Sequence, residues 1–227
     1  EYGGSYSSYS VVGGAPYINS CIFTNNVGVG DDCDSCNSVV GAYRSGPVKI
    51  TNSTFIQNDA GAIHEPRNAT ITGNTITYNK LGISGFDGAT TITDNVITHN
   101  TGASYDRPAG GIWVQFDSYQ NGSVVTISGN QISDNGNSGV HIFAQGLGTY
   151  TATISGNTIV RNSGGSLGGG IRSSGPSGFT LNITNNYIAD NSAWRGGGIY
   201  IYDNSPINNV RYNRIHNNSA DYGSALY

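Results

Sequence analysis

The chain has 227 residues, of which 34 are glycine and only 11% are charged, with a net charge of −4. That balance leaves no basic footprint, which argues against nucleic acid and anionic membrane surfaces as partners. No run of about 18 apolar residues exists to insert in a bilayer. High glycine with low charge would suit low-complexity sequence, but the apolar positions here are periodic, and periodicity marks a folded chain. An absence of methionine, with abundant Tyr, Ser, Thr and Asn, points to an extracellular or cell-surface protein.

Taken in order, residues 1–16 (EYGGSYSSYSVVGGAP) carry no core pattern beyond Val11 and Val12. They are expected to cap the first repeat or to add as a strand to a neighbour. Glu1 reads as a trimmed start. Residues 17–227 form one repeat array, and its frame is apolar–x–x–Asn–x–apolar–x–x–Asn, then a spacer, then Gly–apolar. It begins at Ile18, Ile50, Ile71, Ile92, Ile127, Ile154, Ile183 and Val210. Its first inner slot holds Cys21, Ser53, Asn74, Asn95, Asn130, Asn157, Asn186 and Asn213. The closing slot is Asn26, Asn58, Asn79, Asn100, Asn135, Asn162, Asn191 and Asn218, without exception. Gly–apolar pairs come next at Ile63, Ile83, Ile112, Val140, Ile171 and Ile199, and more loosely at Ala42 and Leu226.

Segments such as residues 70–72 and 75–77 (TIT in both) place one apolar side chain in and two threonines out, the period of a strand. Gly-Asn pairs at 73–74, 129–130 and 156–157 mark turns that tolerate positive φ. A 21-residue step from Ile50 to Ile71, repeated to Ile92, suits one coil of three short strands. The fold class is therefore all-β, a parallel β-helix of about eight coils, with coils stacked about 4.8 Å apart. An asparagine in the same slot of every coil can donate to one neighbour and accept from the other, so both Asn columns read as structural ladders.

The frame resembles the repeat of right-handed, pectate-lyase-like parallel β-helices. The copies FTNN, FIQN, NSAWRGGGIY and NNSADYGSALY also resemble the polymorphic outer-membrane-protein repeat of bacterial surface adhesins. The resemblance covers essentially the whole chain and implies a right-handed solenoid. Function it leaves open, since such an architecture carries lyases, hydrolases, epimerases, adhesins and structural proteins alike.

The first coil holds an insertion, VGVGDDCDSCNSVV. Asp31, Asp32 and Asp34 supply oxygens suited to a hard cation such as Ca²⁺, or form a solvated acidic loop. Cys33 and Cys36 are spaced for a local disulfide, one CxxC being only half of a zinc site. Later insertions at 101–111, 116–124, 144–150, 163–169 and 174–179 flank the Gly–apolar strand and spare the Asn frame. Insertions gathered on one face often mark the binding face. The strand they flank presents an outward stripe of Tyr43, His64, Ser84, Trp113, His141, Arg172, Tyr200 and Tyr227. Two residues further along come Pro66, Phe86, Gln115, Phe143, Ser174 and Tyr202. Such a stripe suits a glycan or a protein partner, unless the loops fold over it.

The best enzymatic constellation is His141 and Arg172 on adjacent coils, with Trp113 one coil earlier and Asp117 in the loop after it. It fits a polysaccharide lyase, which needs a base and a cation against the uronate. Asp31-Asp32 faintly resembles the polygalacturonase Asp-Asp motif, and His64-Glu65 lacks the Asp-Pro-His context of mannuronan epimerases. Sequons at Asn52, Asn68 and Asn121 are candidate glycosylation sites, Asn121 foremost because it sits in an insertion. Outward Thr pairs such as Thr70/Thr72 and Thr91/Thr93 are similar to the faces of ice-binding β-solenoids, although β-propensity alone accounts for them. The expected function is a structural or adhesive surface solenoid, self-associating end to end or laterally and needing no cofactor. Glycan binding or cleavage through the stripe is the alternative.

Overall fold

The computed structural model describes residues 15–27, 38–42, 47–64, 66–86, 88–102, 109–116, 121–203 and 207–227. Among these residues there are 23 short strands and no helix. All strand pairs are parallel, and they assemble into two sheets of eight strands and one of seven. The first sheet runs from Tyr17–Asn19 to Ile207–Arg211, the second from Ile22–Thr24 to Arg214–His216, and the third from Ser38–Gly41 to Ile199–Asp203. One strand of each sheet makes a coil, as the 21-residue step predicts.

Register is set by the apolar frame. In the first sheet Ile50, Ile71, Ile92, Ile127, Ile154 and Ile183 pair in succession and end on Val210. Phe55, Ile76, Ile97, Ile132, Ile159, Ile188 and Ile215 do so in the second. Most of these side chains are wholly buried in one continuous core, each contributing about 1.5–3 kcal/mol as an upper estimate. In the first coil the register differs from expectation: Val40 pairs with Ile63 and Gly41 with His64. Val40, not Ala42, is thus the inner residue equivalent to Ile63, and Gly41, not Tyr43, holds the stripe position. Tyr43 itself lies outside the described residues, as do the tail 1–14, the acidic trio Asp31, Asp32 and Asp34, the Cys33–Cys36 pair, and Asp117.

Both asparagine columns are hydrogen-bonded ladders. In the closing slot, Asn26 Nδ2 donates to Asn58 Oδ1 at 2.8 Å, and the chain continues through Asn79, Asn100, Asn135, Asn162 and Asn191 to Asn218. Each Nδ2 from Asn58 onward also donates backward to a backbone carbonyl of the preceding coil, as from Asn100 to Ile76 O at 3.1 Å. Each Oδ1 accepts in addition the backbone N–H of the preceding Asn, as Asn135 does from Asn100 at 3.0 Å. The inner column runs in the same way from Asn74 to Asn213, with Ser53 Oγ and Cys21 replacing the amide at its start.

The residue just before every ladder slot takes a left-handed conformation. Glycine meets that need at Gly73, Gly129 and Gly156 of the inner turn, whereas the closing turn uses no glycine at all: Gln57, Tyr78, His99, Asp134, Arg161 and Asp190 stand there with φ between 54° and 59°. Glycine before the third-sheet core residue has a different cause, close approach: a Cβ on Gly111 would collide with the Gly139 carbonyl oxygen of the next coil.

Segments read as insertions at 116–124, 144–150 and 174–179 are partly strand. Third-sheet strands reach Phe116, Ala144 and Gly175, and first-sheet strands begin early at Ser123, Tyr150 and Phe179. The enlarged corner needs filling, and aromatic rings fill it. Phe116 stacks on Tyr150 at 5.3 Å and tilts against Phe179 at 6.3 Å. The Tyr150 hydroxyl donates to Gln145 O at 2.8 Å, so the buried phenol is satisfied.

Candidate ligand groove on the third sheet

Alternation along the third sheet turns Ile112, Val114 and Phe116 inward and Trp113 and Gln115 outward. Pairing then brings the outward residues into line: His64, Ser84, Trp113, His141, Arg172 and Tyr200 stand in one row, with Tyr227 next through the Ile199–Leu226 bridge. A second row holds Phe86, Gln115, Phe143, Ser174 and Tyr202. The first row expected from the sequence is therefore in register from His64 onward and the second from Phe86.

Exposure of the first row is where the structure departs from expectation. His64, Trp113, His141 and Tyr200 are only 4–7% exposed. An outward direction along the strand therefore does not deliver an open surface. His64 Nδ1 is hydrogen-bonded to Ser84 Oγ at 2.7 Å, and Tyr200 lies between Tyr227, stacked at 5.5 Å, and Tyr202 at 6.5 Å. Among the described residues the stripe is most open at its far end, where Arg172 is half-buried and Tyr202 is exposed.

That end forms a groove of about 710 Å³ lined by Phe143, Ala144, Leu167, Arg172, Ser174, Gly175, Tyr200, Ile201 and Tyr202. Burial pulls the Arg172 guanidinium below its ordinary pKa, and the Tyr200 phenol acts in the opposite direction; it stays charged at neutral pH. Among the described residues no carboxylate pairs with it. Beside the groove, the guanidinium of Arg195 sits 4.3 Å from the Trp194 ring and 5.5 Å from those of Tyr222 and Tyr227. Sequence reasoning misses this aromatic–cation cluster, although Trp194-Arg195 and Tyr222 precede their Gly-x-x-apolar segments in neighbouring coils.

Of the enzymatic constellation, Trp113, His141 and Arg172 stand on successive coils in register, while Asp117 lies outside the described residues. His141 neighbours Arg172 in register but does not line the groove. Burial first, then the Arg172 charge, hold its pKa well below 6.5, and neither ring nitrogen has a hydrogen-bond partner among the described residues. Among the described residues no cluster of three metal-ligating side chains occurs.

Of the sequons, Asn121 is exposed, with its Oδ1 accepting from Thr149 N at 2.6 Å and Thr149 Oγ1 at 2.8 Å. Asn52 and Asn68 both hold φ of 50°; Asn52 Nδ2 donates to Asn19 Oδ1 at 3.2 Å, and Asn68 Oδ1 accepts from Ala89 N at 2.9 Å.

A family model described as a right-handed beta helix region matches residues 17–181, more than two thirds of the chain. Neither curated proteins nor solved structures yield a match.

Proposed function

Because the chain belongs to the right-handed β-helix family, a fold that holds side chains at a fixed repeat along each sheet, we propose that it is an extracellular or cell-surface adhesive solenoid whose third-sheet groove grips an acidic polysaccharide. The observation that carries this reading is Arg172, a half-buried guanidinium with no carboxylate partner among the described residues, set in an aromatic-rimmed groove. Burying such a charge unpaired is costly, and a ligand carboxylate would complete it with paired N–H···O bonds. Tyr202 and Phe143 supply flat apolar faces for the sugar rings on either side. The role in this reading is to hold rather than to cut, since His141 is buried and does not line the groove.

Calorimetric titration with oligogalacturonate and its methyl ester is the test. Wild type should prefer the free acid, and Arg172→Gln should weaken acid binding by about tenfold or more and erase the preference. Equal affinity for both forms, or full binding by the variant, would remove the reading. Ultraviolet absorbance of unsaturated uronate products, monitored in the same samples, separates grip from cleavage: a rising signal would make the protein a lyase.

A further inference from the structure

We propose a second saccharide site on the opposite flank of the third-sheet strands, at the closing turns of the third and fourth coils, built on Tyr78 and His99 and suited to an uncharged glycan chain. The backbone there is left-handed, with φ of 57° at Tyr78 and 55° at His99, a conformation that bulky side chains disfavour and that Asn or Gly adopts readily. The chain itself shows the easier choice: Asn25 and Asn217 occupy the equivalent position at other coils. Core packing does not call for rings here, since Tyr78 is 54% exposed and His99 is exposed too. That backbone is common to all eight closing turns; what sets these two apart is that, on successive coils, they alone fill it with rings, exposed and in contact with each other.

The two rings stack on each other at 4.8 Å with 23° between their planes, so the pair offers ring edges and an outer face to an apolar sugar face. Beside it lies a depression of about 460 Å³ whose lining includes Gln57, Asp59, Tyr78, Lys80 and Thr101. Its floor is ladder: Asn58 Nδ2 donates to Asn79 Oδ1 at 2.7 Å and Asn79 Nδ2 to Asn100 Oδ1 at 3.1 Å, so both amides are committed. Recognition therefore falls to the rim, where an amide, a carboxylate, an ammonium and a hydroxyl suit sugar hydroxyls. Asp59 and Lys80 balance each other in charge, which favours a neutral saccharide over the acidic one assigned to Arg172. Apolar face and polar rim together are the composition of a small-ligand site.

The test uses the full chain with cellohexaose and laminarihexaose, measured by calorimetry and thermal melting. Saturable binding of at least one hexasaccharide is expected. Tyr78→Asn should weaken it tenfold or more while melting no lower than wild type, because asparagine relieves the backbone. Arg172→Gln should leave it unchanged, so this site and the acidic groove fail separately. Binding of neither sugar would overturn the proposal, as would full binding by Tyr78→Asn. A lower melting temperature for that variant would also overturn it, by showing that the ring serves the fold.

Discussion

At the scale of one residue, His141 shows how position in a solenoid sets chemistry. Its ring is turned outward by strand alternation yet enclosed by its neighbours, and the folded-state pKa falls well below 6.5 through burial and then through Arg172. The unfolded chain takes up a proton at the ordinary value while the folded one does not. Stability from this group is thus fully present above about pH 6.5 and is lost as pH falls below it, by at most about 1.4 kcal/mol per pH unit. Urea unfolding at about pH 7.5 and about pH 5 should show that loss in wild type, and His141→Leu should flatten it. An unchanged slope in the variant would place the titrating group elsewhere. By contrast, the bidentate Arg161–Asp134 pair, at 2.7 and 2.8 Å, stands in solvent and is screened, so its geometry says little about stability.

At the scale of the element, the ladder is the unit that makes one coil specify the next. Asn130 accepts from the Asn95 backbone and side chain and donates to Asn157, Ile92 and Ser128. Asn130→Ala should leave several of those partners orphaned at about 1–3 kcal/mol each and lower the denaturation midpoint accordingly. Gly111→Ala should be at least as harmful, because the obstacle is the neighbouring coil's backbone and not a side chain that can swing away. Soluble expression and thermal melting check both. These features are legible in the sequence because the same residue type returns to the same slot at every coil. Register and cover are not. Val40 and Ala42 both face inward, so a two-residue slip in the first coil preserves every in–out assignment and period alone cannot detect it. The direction of Trp113 and His141 is readable from alternation; their burial depends on what stacks beside them from other coils, which no local pattern encodes. Leu167 and the Arg195 cluster reach the groove region in the same way, through pairing across coils.

For the whole molecule, stability is a sum over neighbours, since each coil touches only those above and below it. Amide exchange should accordingly be slowest for ladder N–H groups in central coils, such as Asn95 and Asn130, and faster toward Asn26 and Asn191. Uniform protection along the chain would instead mean that all coils open together. A second property arises from where chain length varies. Within every coil the two ladder slots are five residues apart, from Cys21 and Asn26 to Asn213 and Asn218, while the step to the next coil is 32, 21, 35, 27 or 29 residues. Register therefore does not sense the contour length of the third side. A foreign peptide spliced near Asn121, where the third-sheet strand gives way to the first, would ride on the rod as cargo, displayed at a height fixed by the coil that carries it.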